Sequence, residues 1–321
     1  MKVLKVAAII IVSLVVLILA AGIYVKTALP DTGAPRDLTI ERTPQRITRG
    51  KYLANNVAVC MDCHSTRNWQ LYSGPLQAGN FGGGGEAFNK DKGFPGNFYA
   101  RNITPFALSS WTDGEILRAV TTGVSKDGHA LFPIMGYPRY GQMDEEDVFS
   151  IIAYIRTLQP VENPVPPSKA DFPVNFLINT MPQKANLRPR PAHSNAVAYG
   201  QYIVNVAGCV ECHSQSDKGK VIAGTEFGGG MEFRQPGGVL RSPNITFDKT
   251  GISSWTKEQF VKRFKAYTDT SYKPAELKPT DLNTPMPWTM YGGMETNDLE
   301  AVYDYLKSVK PLSHQVERSG K

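Results

Sequence analysis

The sequence predicts an all-α protein, built as two tandem copies of one helical domain with long loops behind a single N-terminal membrane-spanning helix. Three observations predict it. A long internal repeat pairs residues 42–162 with residues 193–313. Each copy closes on a segment with apolar residues at helical spacing: Val148, Ile151, Ile152, Ile155 and Leu158 in 144–158, and Leu299, Val302, Leu306 and Val309 in 295–309. Finally, Val6 to Val25 is a twenty-residue run with no charge, the length a helix needs to cross a bilayer.

The N-terminus is read first. Lys2 and Lys5 precede the apolar run, so residues 1–5 are expected to stay in the cytoplasm and everything after residue 25 to be exported. A cleaved signal peptide is the rival reading. Its apolar core would span about 7–15 residues and end at a small-x-small site. The run here is longer and no such site follows, so an uncleaved anchor over 6–25 is expected, leading into a polar stalk over 26–41.

Composition bounds the rest. An apolar fraction of 41% and an aromatic fraction of 10% support packed cores and exclude a disordered chain. The 29 Gly and 23 Pro residues imply loop-rich domains. Of the net charge of +6, +5 falls outside the repeats, whose own charges are +1 and zero. That distribution argues against a nucleic-acid partner. Lys257, Lys262, Arg263 and Lys265 are the one local basic cluster, read as a solvated helix face.

Within each repeat three helices are expected. Residues 44–57 and 194–207 lead into a cysteine motif. Residues 112–122 and 256–267 follow, with Thr112 and Thr256 as N-caps, and then 144–158 and 295–309. Between them lie matched loops: Phe81-Gly82-Gly83-Gly84 with Phe227-Gly228-Gly229-Gly230, Asn102-Ile103-Thr104 with Asn244-Ile245-Thr246, and Ser109-Ser110-Trp111-Thr112 with Ser253-Ser254-Trp255-Thr256. A proline-rich linker, 163–192, joins the copies; it carries Phe172, Phe176, Leu177 and Ile178, so part of it is expected to pack on a domain. Residues 314–321 form a tail.

All four cysteines fall in two C-x-x-C-H motifs, Cys60-Met61-Asp62-Cys63-His64 and Cys209-Val210-Glu211-Cys212-His213. This is the attachment signature of c-type heme. Two thiols three residues apart on one helical turn can each add to a porphyrin vinyl group. The following histidine then faces the iron as its proximal ligand. A redox dithiol, half of a zinc site and a structural disulfide are the alternatives. None of them requires a histidine after the second cysteine twice over. Two covalently bound hemes c are therefore expected.

The sixth ligand needs a His or Met donor. Aligned repeats place Met in both copies at two positions, 135 with 286 and 143 with 294. Met143 and Met294 precede the last helix of each copy and suit a hydrophobic staple. Met135 and Met286 lie in the loop before it and are the expected ligands. His129 competes for the first iron but has no counterpart in the second copy; His193 and His314 sit at domain edges. Trp111, Trp255, Asn102, Asn244, Tyr137 and Trp288 are expected to pack around the hemes.

These residues resemble tandem class I cytochrome c domains, and most closely the membrane-bound cytochrome subunits that accept electrons from periplasmic dehydrogenases. The resemblance rests on the C-x-x-C-H motifs, Asn-Ile-Thr, Ser-Trp-Thr and the Met-Gly-Tyr or Met-Pro-Trp loop. In that family the loop methionine ligates iron, which implies Met135 and Met286 here. It also implies an electron carrier with no catalytic residue and no small-molecule substrate. Its partners would be a dehydrogenase donor and a respiratory or soluble cytochrome acceptor, at the outer face of the inner membrane. A diheme peroxidase and a heme-based sensor or assembly subunit are the rival functions.

Overall fold

The computed structural model describes residues 1–320. Helix α1 (Lys2–Thr27) has no buried residue. At 26 residues it is about 39 Å long, enough to cross a hydrocarbon core of about 30 Å. The chain then docks on the first repeat: Ile40 is buried and its N–H donates to Asp113 Oδ2 at 2.9 Å.

The first repeat contains α2 (Pro44–Tyr52), capped by Thr43, and a π-helical stretch over Leu53–Val57. It continues through α3 (Cys60–Cys63), α4 (Asp113–Thr122) and α5 (Glu145–Ile155). The second contains α6 (Ala196–Ala207), α7 (Cys209–Cys212), α8 (Lys257–Lys265) and α9 (Thr296–Ser308). Thr112 and Thr256 cap α4 and α8 through full capping boxes with Glu115 and Gln259. The π stretch has a sequence cause. Gly50 precedes Cys60 by ten residues, whereas Gly200 precedes Cys209 by nine. The extra residue is absorbed as one wide turn, closed by Ala58 N–H to Leu53 O at 2.8 Å.

The all-α expectation is overturned. Helix accounts for 40% of the chain, and 9% is strand in three small sheets. In the first repeat β1 (Ala87–Phe88) and β2 (Gly96–Tyr99) pair antiparallel, and β3 (Lys169–Ala170) adds to β2 from the linker. In the second, β4 (Ser216–Asp217) pairs with β5 (Lys220–Val221). There β6 (Glu232–Gln235) and β7 (Gly238–Arg241) form a hairpin, to which β8 (Ser319–Gly320) adds from the tail. The strands are two to four residues long, too short to show alternation among the glycines, so these segments read as plain loops. Their third strands come from beyond each repeat's last helix.

In each repeat the leading and closing helices cross at a glycine. A Cβ on Gly50 would lie 1.8 Å from Ser150 O, and one on Gly200 would lie 1.9 Å from Ala301 O. Gly200→Ala should therefore force α6 off α9 and cost about 3 kcal/mol, read as a lower urea midpoint.

The repeats pack face to face around one continuous core that runs from Leu53 and Ile152 to Ile203 and Leu306. Two reciprocal exchanges seal it. Tyr52 Oη donates to Asp298 Oδ2 at 2.6 Å and accepts from Glu295 N–H at 3.0 Å. Tyr202 Oη donates to Asp147 Oδ2 at 2.6 Å and accepts from Asp144 N–H at 3.3 Å. Residue by residue these are the same contacts, related by a pseudo-twofold axis.

Candidate heme sites

Each cysteine motif begins with a residue in the left-handed region that breaks the leading helix. Gly208 (φ 72°) does so in the second repeat; Val59 (φ 48°) does so in the first, an unfavoured conformation for a β-branched side chain. One helical turn follows, with its two cysteines three apart and on one face. Burial pushes the Cys60 thiol up to about 11 and those of Cys63 and Cys209 up to about 12. A thiolate is disfavoured at all three, which is the opposite of what a redox dithiol needs.

His64 and His213 follow as the chain leaves the turn. His64 Nδ1 lies 2.6 Å from Arg101 O, and His213 Nδ1 lies 2.9 Å from Pro243 O. A carbonyl only accepts, so Nδ1 carries the proton and Nε2 keeps its lone pair for a metal. Burial lowers both imidazole pKa values and favours the neutral ring that a metal requires.

Arg101 and Pro243 immediately precede the two Asn-Ile-Thr loops, which explains what those loops do. Asn102 Oδ1 accepts from Thr104 N–H (2.9 Å) and Oγ1 (2.8 Å), while its Nδ2 donates to Val161 O at 2.8 Å. Asn244 makes the same bonds to Thr246 (2.9 and 2.8 Å) and to Leu312 O (2.8 Å). Each asparagine thus pins a loop to the chain leaving its last helix and aims the preceding carbonyl at a histidine.

In the second repeat Cys209, Cys212, His213, Asn244, Trp255, Met286 and Trp288 all line one cavity of about 2980 Å³, and Met294 borders it as well. Trp288 stacks on Tyr267 at 4.8 Å, meets Phe264 edge-on at 5.3 Å and carries the Arg263 guanidinium 4.6 Å from its centroid. Arg263 is therefore not merely solvated, and neither are two neighbours in the basic cluster. Lys257 pairs with Asp304 at 2.8 Å and Lys265 donates to Gly292 O at 3.2 Å.

In the first repeat Cys63 borders the same cavity. Met135 ends a short 3-10 turn (Pro133–Met135), just before Tyr137. Tyr137 is wholly buried, with its ring against Gly123, and its hydroxyl has no partner among the described residues. Trp111 packs against the core, and its carbonyl accepts from Arg156 Nη2 at 2.5 Å. His129 is exposed and engaged with Asp127 (2.5 Å) and Ser125 (2.9 Å) on a surface loop. Met143 is wholly buried in the core, as a staple residue should be. A neutral, carbonyl-oriented histidine and two cysteines on one turn, repeated, fit a covalently held heme.

Two features across the seam carried no signal in the sequence. The loop after the first motif reaches over the second repeat. Buried Arg67 ties it to the motif, donating to Asp62 Oδ2 (2.7 Å), Ser73 O (2.7 Å) and Gly74 O (2.8 Å). Ser73 then clamps the Met286 turn: its Oγ donates to Met286 O at 2.6 Å and accepts from Trp288 N–H at 3.0 Å. Its own N–H donates to Asn283 Oδ1 at 2.8 Å. Ser73→Ala should speed hydrogen exchange at the Trp288 amide about tenfold, the equivalent of about 1.4 kcal/mol. Arg139 is the second feature. It donates to Glu211, inside the second motif, and to Val206 O at 3.2 Å and Tyr140 Oη at 3.0 Å. Tyr140 in turn donates to Ala58 O at 2.9 Å, beside the first motif. The two motifs thus approach each other across one half-buried guanidinium.

Residues 197–310 match the family model described as Cytochrome c. The second repeat is similar to a cytochrome c domain. Such a domain implies covalently bound heme c, which agrees with the geometry above. The chain is 28% identical over 282 residues to the fructose dehydrogenase cytochrome subunit of Gluconobacter japonicus, covering 82% of this chain and 52% of that protein. It is 25% identical to the cytochrome c subunit of the quinone-dependent alcohol dehydrogenase of Gluconacetobacter polyoxogenes, covering 83% and 56%. It is also 26% identical to a diheme cytochrome c-type protein of Cereibacter sphaeroides, covering 71% and 76%. The chain spans about half the length of those dehydrogenase cytochrome subunits. They are named as cytochrome subunits, not as the subunits that oxidise substrate, in line with the expected electron carrier.

Proposed function

We propose that the chain is a membrane-anchored diheme electron carrier, passing electrons from a dehydrogenase on the outer face of the inner membrane to a respiratory acceptor. The observation that carries this reading is the repetition itself. Both C-x-x-C-H histidines are turned by a backbone carbonyl in the same way, and each repeat has a methionine in the loop before its last helix. Cys60, Cys63, Cys209 and Cys212 would hold the hemes, with His64 and Met135 the axial ligands of one iron and His213 and Met286 those of the other. Each heme supplies a one-electron couple, and Met/His ligation sets it higher than two histidines would.

The rest of the work falls to the protein. The carbonyls of Arg101 and Pro243 fix the imidazole orientation. The Trp255 and Trp288 rings exclude water from the second pocket, and Ser73 fixes the Met286 turn. With a histidine and a methionine both offered to each iron, no position would be left for a substrate, so the reading is a carrier and not a peroxidase. The relatives' names supply the donor class, a dehydrogenase, and helix α1 supplies the anchor.

The test is spectroscopic. Purified protein should bind two hemes per chain, show low-spin reduced-minus-oxidised spectra, and fail to react rapidly with cyanide or peroxide. One heme per chain, or rapid turnover of peroxide with a reduced donor, would refute the proposal.

A further inference from the structure

Outside α1, the largest cluster of exposed apolar side chains is in the linker. Phe172 is 84% exposed, and Phe176 and Leu177 are 38% and 43% exposed. Phe172 precedes, and Phe176 and Leu177 belong to, a single helical turn, Val174–Leu177, that continues into a 3-10 turn over Ile178–Thr180. These two turns lie against α1. A Cβ on Gly22 would come within 3.9 Å of the Phe176 ring, and Asn179 Nδ2 donates to Val25 O at 3.2 Å.

Gly22 and Val25 belong to the last turns of the apolar run that begins at Val6. At 1.5 Å per residue, Gly22 lies about 24 Å along that run, inside a hydrocarbon core of about 30 Å. A segment packed beside Gly22 shares its depth. Its polar atom is used on the helix: the Val25 carbonyl is among those with no partner inside α1, and such a group is costly near lipid. Asn179 satisfies it. Leu177 borders the cavity described above, whereas Phe172 stands clear in solvent and Phe176 keeps 38% of its surface exposed beside Gly22. The stretch holds no charge from Phe172 to Gln183; Asp171, paired with Lys90 at 2.8 Å, precedes it and Lys184 follows. That is the pattern of a segment lying in a membrane interface.

We propose that residues 172–181 are a second membrane contact, lying in the outer leaflet against α1 with Phe172 and Phe176 among the lipid chains. The inference rests on the reading of α1 as a membrane anchor. It makes the linker between the repeats a float as well as a tether, and it sets the height and tilt of the first repeat above the bilayer.

Heme attachment consumes the native thiols, so one added cysteine takes a nitroxide label cleanly. The full-length holoprotein carrying Phe172→Cys, and separately Phe176→Cys, would be labelled and reconstituted in phosphatidylcholine vesicles. Collisional relaxation by oxygen, which concentrates in lipid, is compared with relaxation by a water-soluble nickel chelate; Leu14→Cys serves as the reference inside the anchor. An oxygen-to-chelate ratio at 172 and 176 at least several-fold above that of a label on the surface loop at Asp127→Cys supports the proposal. A water-like ratio at both positions with a lipid-like ratio at 14 overturns it and leaves the anchor standing. A water-like ratio at 14 overturns the anchor and the proposal together. Phe172 is exposed in the folded protein, so its replacement leaves the core intact.

Discussion

Replacing Met286 with alanine should lower the potential of the second heme, on the order of 0.1 V, and leave the first heme unchanged. Axial ligation spans roughly 0.8 V across heme proteins, and thioether sulfur favours the reduced iron. Losing it costs part of that range and opens the iron to small ligands. The methionine-to-iron charge-transfer absorption of the second heme should vanish in the same variant. Met135→Ala should produce the mirror result at the first heme. Met294 makes the comparison sharp, because it also borders the second cavity but sits at the start of α9 and is almost wholly buried. Met294→Ala should weaken packing and leave the charge-transfer absorption in place. If Met294→Ala removes that absorption and Met286→Ala does not, the ligand assignment is reversed.

Asp147→Ala should destabilise the protein by about 3–5 kcal/mol, the cost of stranding buried charges without their partner. Asp147 is 1% exposed. It receives Arg49 through two bonds (2.9 and 3.0 Å), Arg190 at 2.7 Å and Tyr202 at 2.6 Å. Tyr202 belongs to the other repeat, so the loss should open the seam as well as the first repeat. A second unfolding transition, absent from the wild type, is the expected sign in urea. The pH dependence has a definite direction. Burial alone would raise the Asp147 pKa, but Arg49, Tyr202 and Arg190 outweigh it and hold the carboxyl below its ordinary range. Its stabilising contribution is complete above the unfolded value of about 4 and is lost as pH falls through the lower folded value. The wild type should therefore lose stability below about pH 4 faster than Asp147→Ala does. Parallel acid curves for the two proteins would mean that the cluster contributes nothing.

Local features of this fold were legible in the sequence, and distant ones were not. The N-caps at Thr112 and Thr256, the apolar stripe of α5 and the long apolar helix α1 follow from residues within a few positions of each other. The matched motifs followed from the repeat. The extra residue between Gly50 and Cys60 was visible as a spacing, though only the structure turns it into a π-helical stretch. The Asn-Ile-Thr loops were visible as matched segments, but not as devices that aim a carbonyl at a histidine. The strap from Arg67 through Ser73 to Met286 joins residues more than two hundred apart and occurs in one repeat only, so neither periodicity nor repetition marks it. The strands were missed because two residues of alternation cannot be told from a glycine-rich turn.

The seam has one further consequence. Two identical subunits meeting about a twofold axis must contribute the same side chain from both sides, so such a junction has no direction. Here both partners are written on one chain and each half has been free to drift. Where the first repeat sends Arg139 across to Glu211, the matching position in the second is Met290, which stays buried. The positive charge comes from one half alone. A duplicated contact has become a one-way fitting, and the two centres it separates need not be equivalent to an electron.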